Sequence, residues 1–205
     1  MRALWRFSTS FAVLVCAACG LSRGLAAQDA GLPPVGFGSL RQDEVAVRLT
    51  MQNLAVRALP LDEQVIRLLA PDTYSSLAEL KRSRAGAIAA AARSAGLDSS
   101  TAFVVTYFGL QPDTRFEPDQ LYISSQNAFY RPVGVVPLSS RWSEGRLGQR
   151  EQAVAIYLFQ PGIQLLQPFT LYYGDRSTDV WQSTLRTLDA ERSRVMARAA
   201  AQPQP

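Results

Sequence analysis

The fold is decided by residues 101–109, whose sequence is TAFVVTYFG. In an extended chain its apolar side chains fall on both faces, with Phe103, Val105 and Tyr107 on one face and Val104 and Phe108 on the other. A strand that is apolar on both faces is typical of the middle of a sheet that is covered above and below. Residues 153–159 (AVAIYLF) repeat this pattern. We therefore predict that the two segments are neighbouring buried strands.

Shorter strands are predicted around this pair, at residues 45–52, 54–58, 121–124, 128–131, 133–138 and 169–173. The apolar alternation changes phase after Asn53, which predicts a bulge or a tight turn at that point. Residues 125–127 (SQN) are typical of the turn of a hairpin. Pro132 and Pro137 restrict the segment between them to an edge strand or a crossover, because proline cannot donate a hydrogen bond to a central sheet.

Helices are predicted at about residues 61–70, 73–95 and 177–199, where apolar residues recur at helical spacing. The resulting fold class is α+β: an antiparallel β-sandwich with a helical insertion after the first strands and a C-terminal amphipathic helix. The pattern FxPxxL at residues 116–121, followed by Tyr130-Arg131-Pro132, resembles bacterial immunoglobulin-like modules. That resemblance implies an immunoglobulin-like outline and no particular activity.

The N-terminal residues predict that the protein is exported. A basic start is followed by an apolar run at residues 11–21 that is too short to span a bilayer, so residues 1–27 are typical of a secretory signal cleaved near Ala27. The alternative is a lipoprotein signal that ends before Cys19, since small residues precede this cysteine. Residues 28–42 are rich in glycine and proline and predict a flexible tether. Residues 43–199 are predicted to form a single globular domain, and residues 200–205 a disordered tail.

The charge and the residue types exclude several functions. Loss of Arg2, Arg6 and Arg23 with the signal leaves 18 basic and 17 acidic residues, a net charge of +1, which does not favour nucleic-acid binding. The chain has no histidine, so catalytic triads and most transition-metal sites are impossible. The position three residues before Lys81, the only lysine, is Ala78, so a Ser-Lys hydrolase is excluded too. We expect no cofactor and no metal site.

Two sets of residues remain as candidates for a site. The loop acids Glu117, Asp119 and Glu144, with Trp142 beside them, have the residue types of a carboxylate-pair glycosidase or an oxygen-ligated calcium site. The ordinary interpretation of these acids is solvated loop charge. Tyr130 and Arg131, again with Trp142, have the composition of a binding patch. The ordinary interpretation there is that Tyr130 faces the core and Arg131 pairs with an acid.

The leading hypothesis is a non-catalytic protein of the bacterial cell envelope, exported to the periplasm or beyond, in which the β-sandwich serves binding or scaffolding. Its partner would be an envelope protein or a glycan, and it would touch a membrane only through a lipid on Cys19. One alternative is a carbohydrate-active or calcium-dependent domain that uses the loop carboxylates. Another is a membrane-surface module that acts through the C-terminal helix.

Overall fold

The structure is a computed structural model that describes residues 31–202. The signal sequence, the cleavage site near Ala27, the candidate lipidation site Cys19 and the last three residues of the tail lie outside the described residues. The described strands are β1 (Val47–Thr50), β2 (Leu54–Pro60), β3 (Thr101–Gly109), β4 (Thr114–Arg115), β5 (Leu121–Ser125), β6 (Ala128–Tyr130), β7 (Pro132–Pro137), β8 (Arg146–Leu147), β9 (Gln152–Phe159), β10 (Phe169–Tyr173) and β11 (Arg176–Thr178). The helices are α1 (Gln42–Val45), α2 (Glu63–Ile66), α3 (Pro71–Ser83), α4 (Ala85–Ser94) and α5 (Trp181–Ala201), and Pro118–Gln120 and Ser140–Glu144 are short 3₁₀ turns.

The largest sheet has five antiparallel strands in the order β1-β2-β3-β9-β7. The predicted pairing at its centre is confirmed, because Val104 lies opposite Ile156 and Tyr107 lies opposite Ala153. The phase change after Asn53 is a tight turn that joins β1 to β2, with the Met51 N–H donating to the Leu54 carbonyl. The proline-flanked strand β7 lies at one edge of the sheet, in agreement with the sequence.

A second sheet of four antiparallel strands has the order β11-β10-β5-β6. The hairpin between β5 and β6 turns at Gln126 and Asn127, whose φ angles of 50° and 63° are those of a type I′ turn. This backbone twist suits tight antiparallel hairpins, so the predicted hairpin is confirmed. Strands β4 and β8 form a separate two-stranded pair.

Aromatic side chains connect the two larger sheets and the C-terminal helix. The Phe103 ring meets the edges of Phe159 at 5.5 Å and Phe169 at 6.0 Å, and the indole of Trp181 stacks on Phe169 at 4.8 Å. Trp181 also donates its indole N–H to the Leu165 carbonyl, which satisfies the one polar atom of a fully buried ring. The chain is therefore an α+β protein with antiparallel sheets and a C-terminal helix.

The helices differ from the sequence prediction at their ends. Helix α2 is shorter than the predicted 61–70, because residues 68–70 leave the helix to bond with Leu40. The predicted helix 73–95 is two helices, broken at Arg84, and Pro71 is the first residue of α3. Helix α5 begins at Trp181 and not at 177, since residues 176–178 form β11. At residues 68–70, a contact with Leu40, which is distant in sequence, overrides the local helical pattern.

Residues 37–40, which the composition assigns to a tether, are packed against the domain. Leu40 is buried, and its backbone bonds to the Leu68 carbonyl at 3.1 Å and the Ala70 N–H at 2.9 Å. Ser39 bonds to Glu191 of α5, and the Phe37 carbonyl accepts from Arg198. We call residues 37–40 the N-terminal strap, because they join the loop after α2 to the C-terminal helix.

Candidate functional site

The outward face of the four-stranded sheet carries Phe129, the most exposed large apolar side chain in residues 31–202. Alternation in β5 and β10 directs Leu121, Ile123, Phe169 and Leu171 into the core. The strand register places the intervening side chains together on the other side. We call this set, with the adjoining Arg131, the aromatic face: Tyr122, Ser124, Phe129, Thr170, Tyr172 and Ser177.

Three aromatic rings lie in contact at the centre of this face. Tyr122 and Tyr172 are directly opposite each other on neighbouring strands, and their rings stack with centroids 4.6 Å apart and an interplanar angle of 6°. Phe129 meets them edge-on, at 6.0 Å from Tyr122 and 6.4 Å from Tyr172. Nevertheless, Phe129 remains 70% exposed. The cluster therefore presents apolar surface to solvent that the domain's own core does not use.

Arg131 completes the face on the side of Tyr122. Its guanidinium carbon lies 5.5 Å from the centroid of the Tyr122 ring, a cation–π contact. Within residues 31–202 this guanidinium forms no salt bridge, although the sequence suggested an acid across the strand. Arg131 is thus positioned to bind a ligand that reaches the aromatic face.

A groove of about 310 Å³ adjoins Arg131. Its walls are the Pro118-Asp119 turn on one side and residues 131–135 on the other. Val133 and Val135 supply apolar surface there, and Asp119 and Arg131 supply the charges. The structure therefore brings together two of the residues that the sequence singled out, Asp119 and Arg131, although the sequence assigned them to different sites.

Buried tyrosines hold the turn that carries Asp119. Tyr157 donates its hydroxyl hydrogen to the Pro118 carbonyl at 3.0 Å, and Tyr107 donates to the Tyr157 oxygen at 2.8 Å. The Glu117 N–H donates to the Tyr173 hydroxyl at 2.8 Å. Burial raises the pKa of each of these three phenols above its ordinary value, so all three stay protonated at neutral pH. The wall of the groove is thus fixed to the five-stranded sheet.

The other predicted site residues do not join this arrangement. Trp142 packs on Phe116 at 5.4 Å, within the aromatic cluster beneath the turn. Glu144 bonds to Arg141 at 2.9 Å, and the carboxylate of Glu117 accepts from Gln120. Tyr130 lies on the inward face of β6 opposite Ile123, as the ordinary interpretation predicts. Within residues 31–202, no three acidic side chains lie close enough to hold a metal ion together.

Sequence reasoning missed Tyr122, Phe129 and Tyr172, which form the centre of the aromatic face. Each looks like an ordinary strand residue, because a buried and an exposed aromatic are indistinguishable in a short apolar segment. The available signal was the alternation of side chains between the two faces of a strand. Tyr122 lies between Leu121 and Ile123, and Tyr172 lies between Leu171 and Tyr173, so each tyrosine points away from its two neighbours. Only the cross-strand register shows that the two tyrosines meet.

Compared with protein families, curated proteins and solved structures, the chain has no match. None of the helices in residues 31–202 has the length and apolar character needed to cross a bilayer. The function proposed below is therefore argued from the residues of the chain and their geometry.

Proposed function

We propose that the protein is a non-catalytic binding module of the bacterial cell envelope, exported by its N-terminal signal, and that the aromatic face is its ligand-binding surface. The observation that carries the proposal is the cluster of Tyr122, Phe129 and Tyr172, in which Phe129 is 70% exposed, with the cation–π contact of Arg131 beside it. Clustered aromatic residues with arginine are enriched at recognition surfaces, where they supply large contact areas at low entropic cost.

The absence of catalytic side chains at this face supports binding over catalysis. The aromatic face itself offers hydroxyls, aromatic rings and one guanidinium, which bind ligands but do not transfer protons at neutral pH. Asp119 lines the neighbouring groove without a second acid, whereas glycoside cleavage requires a pair. We therefore retain the non-catalytic hypothesis over the carbohydrate-active one.

The apolar residues of helix α5 do not support the membrane-surface alternative. Trp181, Leu188 and Val195 repeat at helical spacing and are all buried within the domain. A helix that binds a membrane surface needs this face exposed. In our proposal, attachment to the envelope occurs through the aromatic face, or through a lipid if Cys19 is modified.

We also infer that the two larger sheets are the layers of a β-sandwich, immunoglobulin-like in outline. The contacts of Phe103 with Phe169 and of Tyr107 with Tyr173, at 5.8 Å, support this arrangement because they join β3 to β10 across the core. An experimental structure tests it: strand directions in the two sheets within about 30° of each other are expected for an aligned sandwich. Strands that cross near a right angle contradict it.

Co-sedimentation with isolated envelope fractions tests the binding function. The purified full-length protein, as processed by its host, is compared with the variants Phe129→Ala and Leu110→Ala. Both positions are exposed and apolar, but only Phe129 lies on the aromatic face. We expect Phe129→Ala to reduce the bound fraction by about 10-fold, in the range of an interface hot spot, and Leu110→Ala to bind like the wild type. Equal binding of all three proteins would overturn the proposal.

A further inference from the structure

We propose that the ligand of the aromatic face is a glycan that carries carboxylate groups, a polysaccharide that contains uronic acids, and that Arg131 is the residue that recognises the carboxylate. This inference rests on the proposed binding function and names the chemical class of the ligand. Its basis is the size of the face, the polar groups around the aromatic cluster and the sign of the charge beside it.

The size of the cluster favours a glycan over a folded protein. Each aromatic side chain offers at most about 150–250 Å² of surface, so three rings that partly cover one another fall short of the ~800 Å² per partner of a stable protein interface. The nearby strand edges do not favour addition of a peptide strand either. Strand β6 has only three residues, and β7 has a proline at each end, which removes two donors. A chain of sugar rings needs neither a large area nor a free strand edge.

The groups around the rings match the polar atoms of sugars. Ser124, Thr170 and Ser177 share the outward face with the rings, and the tyrosines add two phenolic hydroxyls. Hydroxyls both donate and accept hydrogen bonds, as the hydroxyls of a sugar do. The exposed ring of Phe129 supplies an apolar surface for the C–H faces of a sugar ring. Together they form a surface that offers both apolar and hydroxyl groups.

The charge of the face selects an acidic glycan over a neutral one. Arg131 carries the only formal charge on the aromatic face, and within residues 31–202 it has no salt-bridge partner. The guanidinium carbon lies over the Tyr122 ring at 5.5 Å from its centroid, and a guanidinium beside the cluster can bond to both oxygens of a carboxylate. Asp119, in the adjoining groove, opposes the binding of an anion. Neutralising Arg131 should therefore weaken the binding of an acidic glycan, and neutralising Asp119 should strengthen it.

Isothermal titration calorimetry with an oligogalacturonate tests this inference, and the methyl ester of the same oligosaccharide is the matched ligand. The ester keeps the sugar rings and removes the charge. We expect the acid to bind at least about 10-fold more tightly than the ester, and its affinity to fall as NaCl rises from about 50 mM to about 500 mM. An acid that binds no better than its ester, or neither ligand binding at millimolar concentration, would overturn the inference.

Three variants locate the interaction. Arg131→Gln should weaken binding of the acid by about 10-fold and leave binding of the ester unchanged, because only the charge-assisted bond is lost. Asp119→Asn should strengthen binding of the acid several-fold. Arg186→Gln removes the same charge from the exposed surface of α5 and should change neither affinity. Binding of the acid that is unaffected by Arg131→Gln contradicts the assignment of this residue. Circular dichroism and thermal midpoints establish that each variant is folded.

The failure of this inference is distinguishable from the failure of the binding function. If Phe129→Ala loses retention on envelope fractions while the acid and its ester bind equally, the binding function stands and the acidic glycan is wrong. If Phe129→Ala is retained like the wild type, the aromatic face is not the binding surface and both proposals fail.

Discussion

Glu191 is a fully buried carboxylate that joins the N-terminal strap to the C-terminal helix. One of its oxygens accepts three hydrogen bonds, from the Ser39 N–H at 3.0 Å, the Ser39 hydroxyl at 2.8 Å and Arg198 at 2.6 Å. Burial alone raises the pKa of this carboxyl, but the bonds from Ser39 and Arg198 outweigh it, so the pKa lies below its ordinary value. The charged form of Glu191 therefore stabilises the folded protein.

We predict that Glu191→Gln lowers the free energy of unfolding at pH 7 by about 1–3 kcal/mol, the usual effect of disrupting hydrogen bonds to a buried charged group. A carboxyl whose folded pKa is depressed loses its stabilising effect as pH falls below its unfolded pKa of about 4.3. The difference between variant and wild type should thus shrink near pH 3. Urea unfolding of both proteins at pH 7 and near pH 3 measures this difference in the free energy of unfolding.

The matched control for this variant is Glu79→Gln, at an exposed glutamate of α3 that pairs with the exposed Arg82. Exposed pairs contribute about 0–1 kcal/mol, so this variant should remain close to the wild type. Equal losses in the two variants, or a loss in Glu191→Gln that does not depend on pH, would contradict the role assigned to the buried carboxylate.

Gly38 is the residue that allows the strap to lie against the loop after α2. A Cβ atom at this position would lie 2.3 Å from the Leu69 carbonyl oxygen and 2.4 Å from the Leu68 carbonyl carbon, both of which are backbone atoms. We predict that Gly38→Ala destabilises the protein by about 1–3 kcal/mol, as overpacking does. Gly86→Ala in helix α4 meets open space and should be neutral or slightly stabilising. Thermal unfolding compares the midpoint temperatures of the two variants. Equal midpoints for Gly38→Ala and Gly86→Ala would contradict the close packing of the strap.

At the scale of elements, the chain Tyr107–Tyr157–Pro118 links strands β3 and β9 to the turn that forms the groove. Tyr157 both accepts from Tyr107 and donates to the Pro118 carbonyl, whereas Tyr107 only donates. We therefore predict unequal effects: Tyr157→Phe leaves two buried groups without partners and costs about 1–3 kcal/mol, and Tyr107→Phe costs about 0.5–1.5 kcal/mol. Denaturant unfolding measures the loss of stability in each variant. A larger loss in Tyr107→Phe than in Tyr157→Phe would contradict the assigned donors.

The same tyrosines predict how the domain responds to alkaline pH. Because burial raises the pKa of Tyr107, Tyr157 and Tyr173 in the folded protein, their stabilising effect is complete below the unfolded value of about 10 and is lost as pH rises above it. Their ionisation, followed by tyrosinate absorbance near 295 nm, should coincide with the loss of near-ultraviolet circular dichroism. Ionisation of all tyrosines before any loss of structure would contradict their burial.

The elements that the sequence predicted well are those whose pattern is local. The doubly apolar segments at 101–109 and 153–159 and the hairpin turn at Gln126 and Asn127 need only their own residues to define them. Two of the elements that differ depend on contacts with residues outside the segment that carries the helical pattern. Residues 68–70 leave their helix to pair with Leu40, and residues 176–178 pair with β10 before α5 begins. Local propensity does not contain this information.

The candidate site was predicted only in part, because its residues come from separate segments of the chain. Composition alone identified Arg131 and Asp119, since charged residues beside aromatic or proline-rich segments are visible in the sequence. The three rings beside Arg131 come from three different strands, and only the register of β5, β6 and β10 brings them together. Trp142 was a candidate for both sites, but its indole is partly buried and packs on Phe116, against the core.

At the scale of the whole molecule, the N-terminal strap limits where the N-terminus can be cleaved without destabilising the domain. Cleavage near Ala27 or lipidation at Cys19 both occur before Phe37 and leave residues 37–40 in place. We predict that intact mass spectrometry of the mature protein finds one of these two N-termini. A mature protein that begins after Leu40, and unfolds at the same temperature as the longer form, would contradict the structural role of the strap.

The central claim is that the aromatic face contacts a component of the cell envelope. The most direct measurement places a photoreactive benzoylphenylalanine at position 129 of the full-length protein, expressed in its native host, with position 110 as the exposed control. Irradiation of intact cells is predicted to join the protein to envelope material from position 129 and not from position 110. Adducts from position 110 alone, or none from position 129 while the protein is folded and exported, would contradict the account.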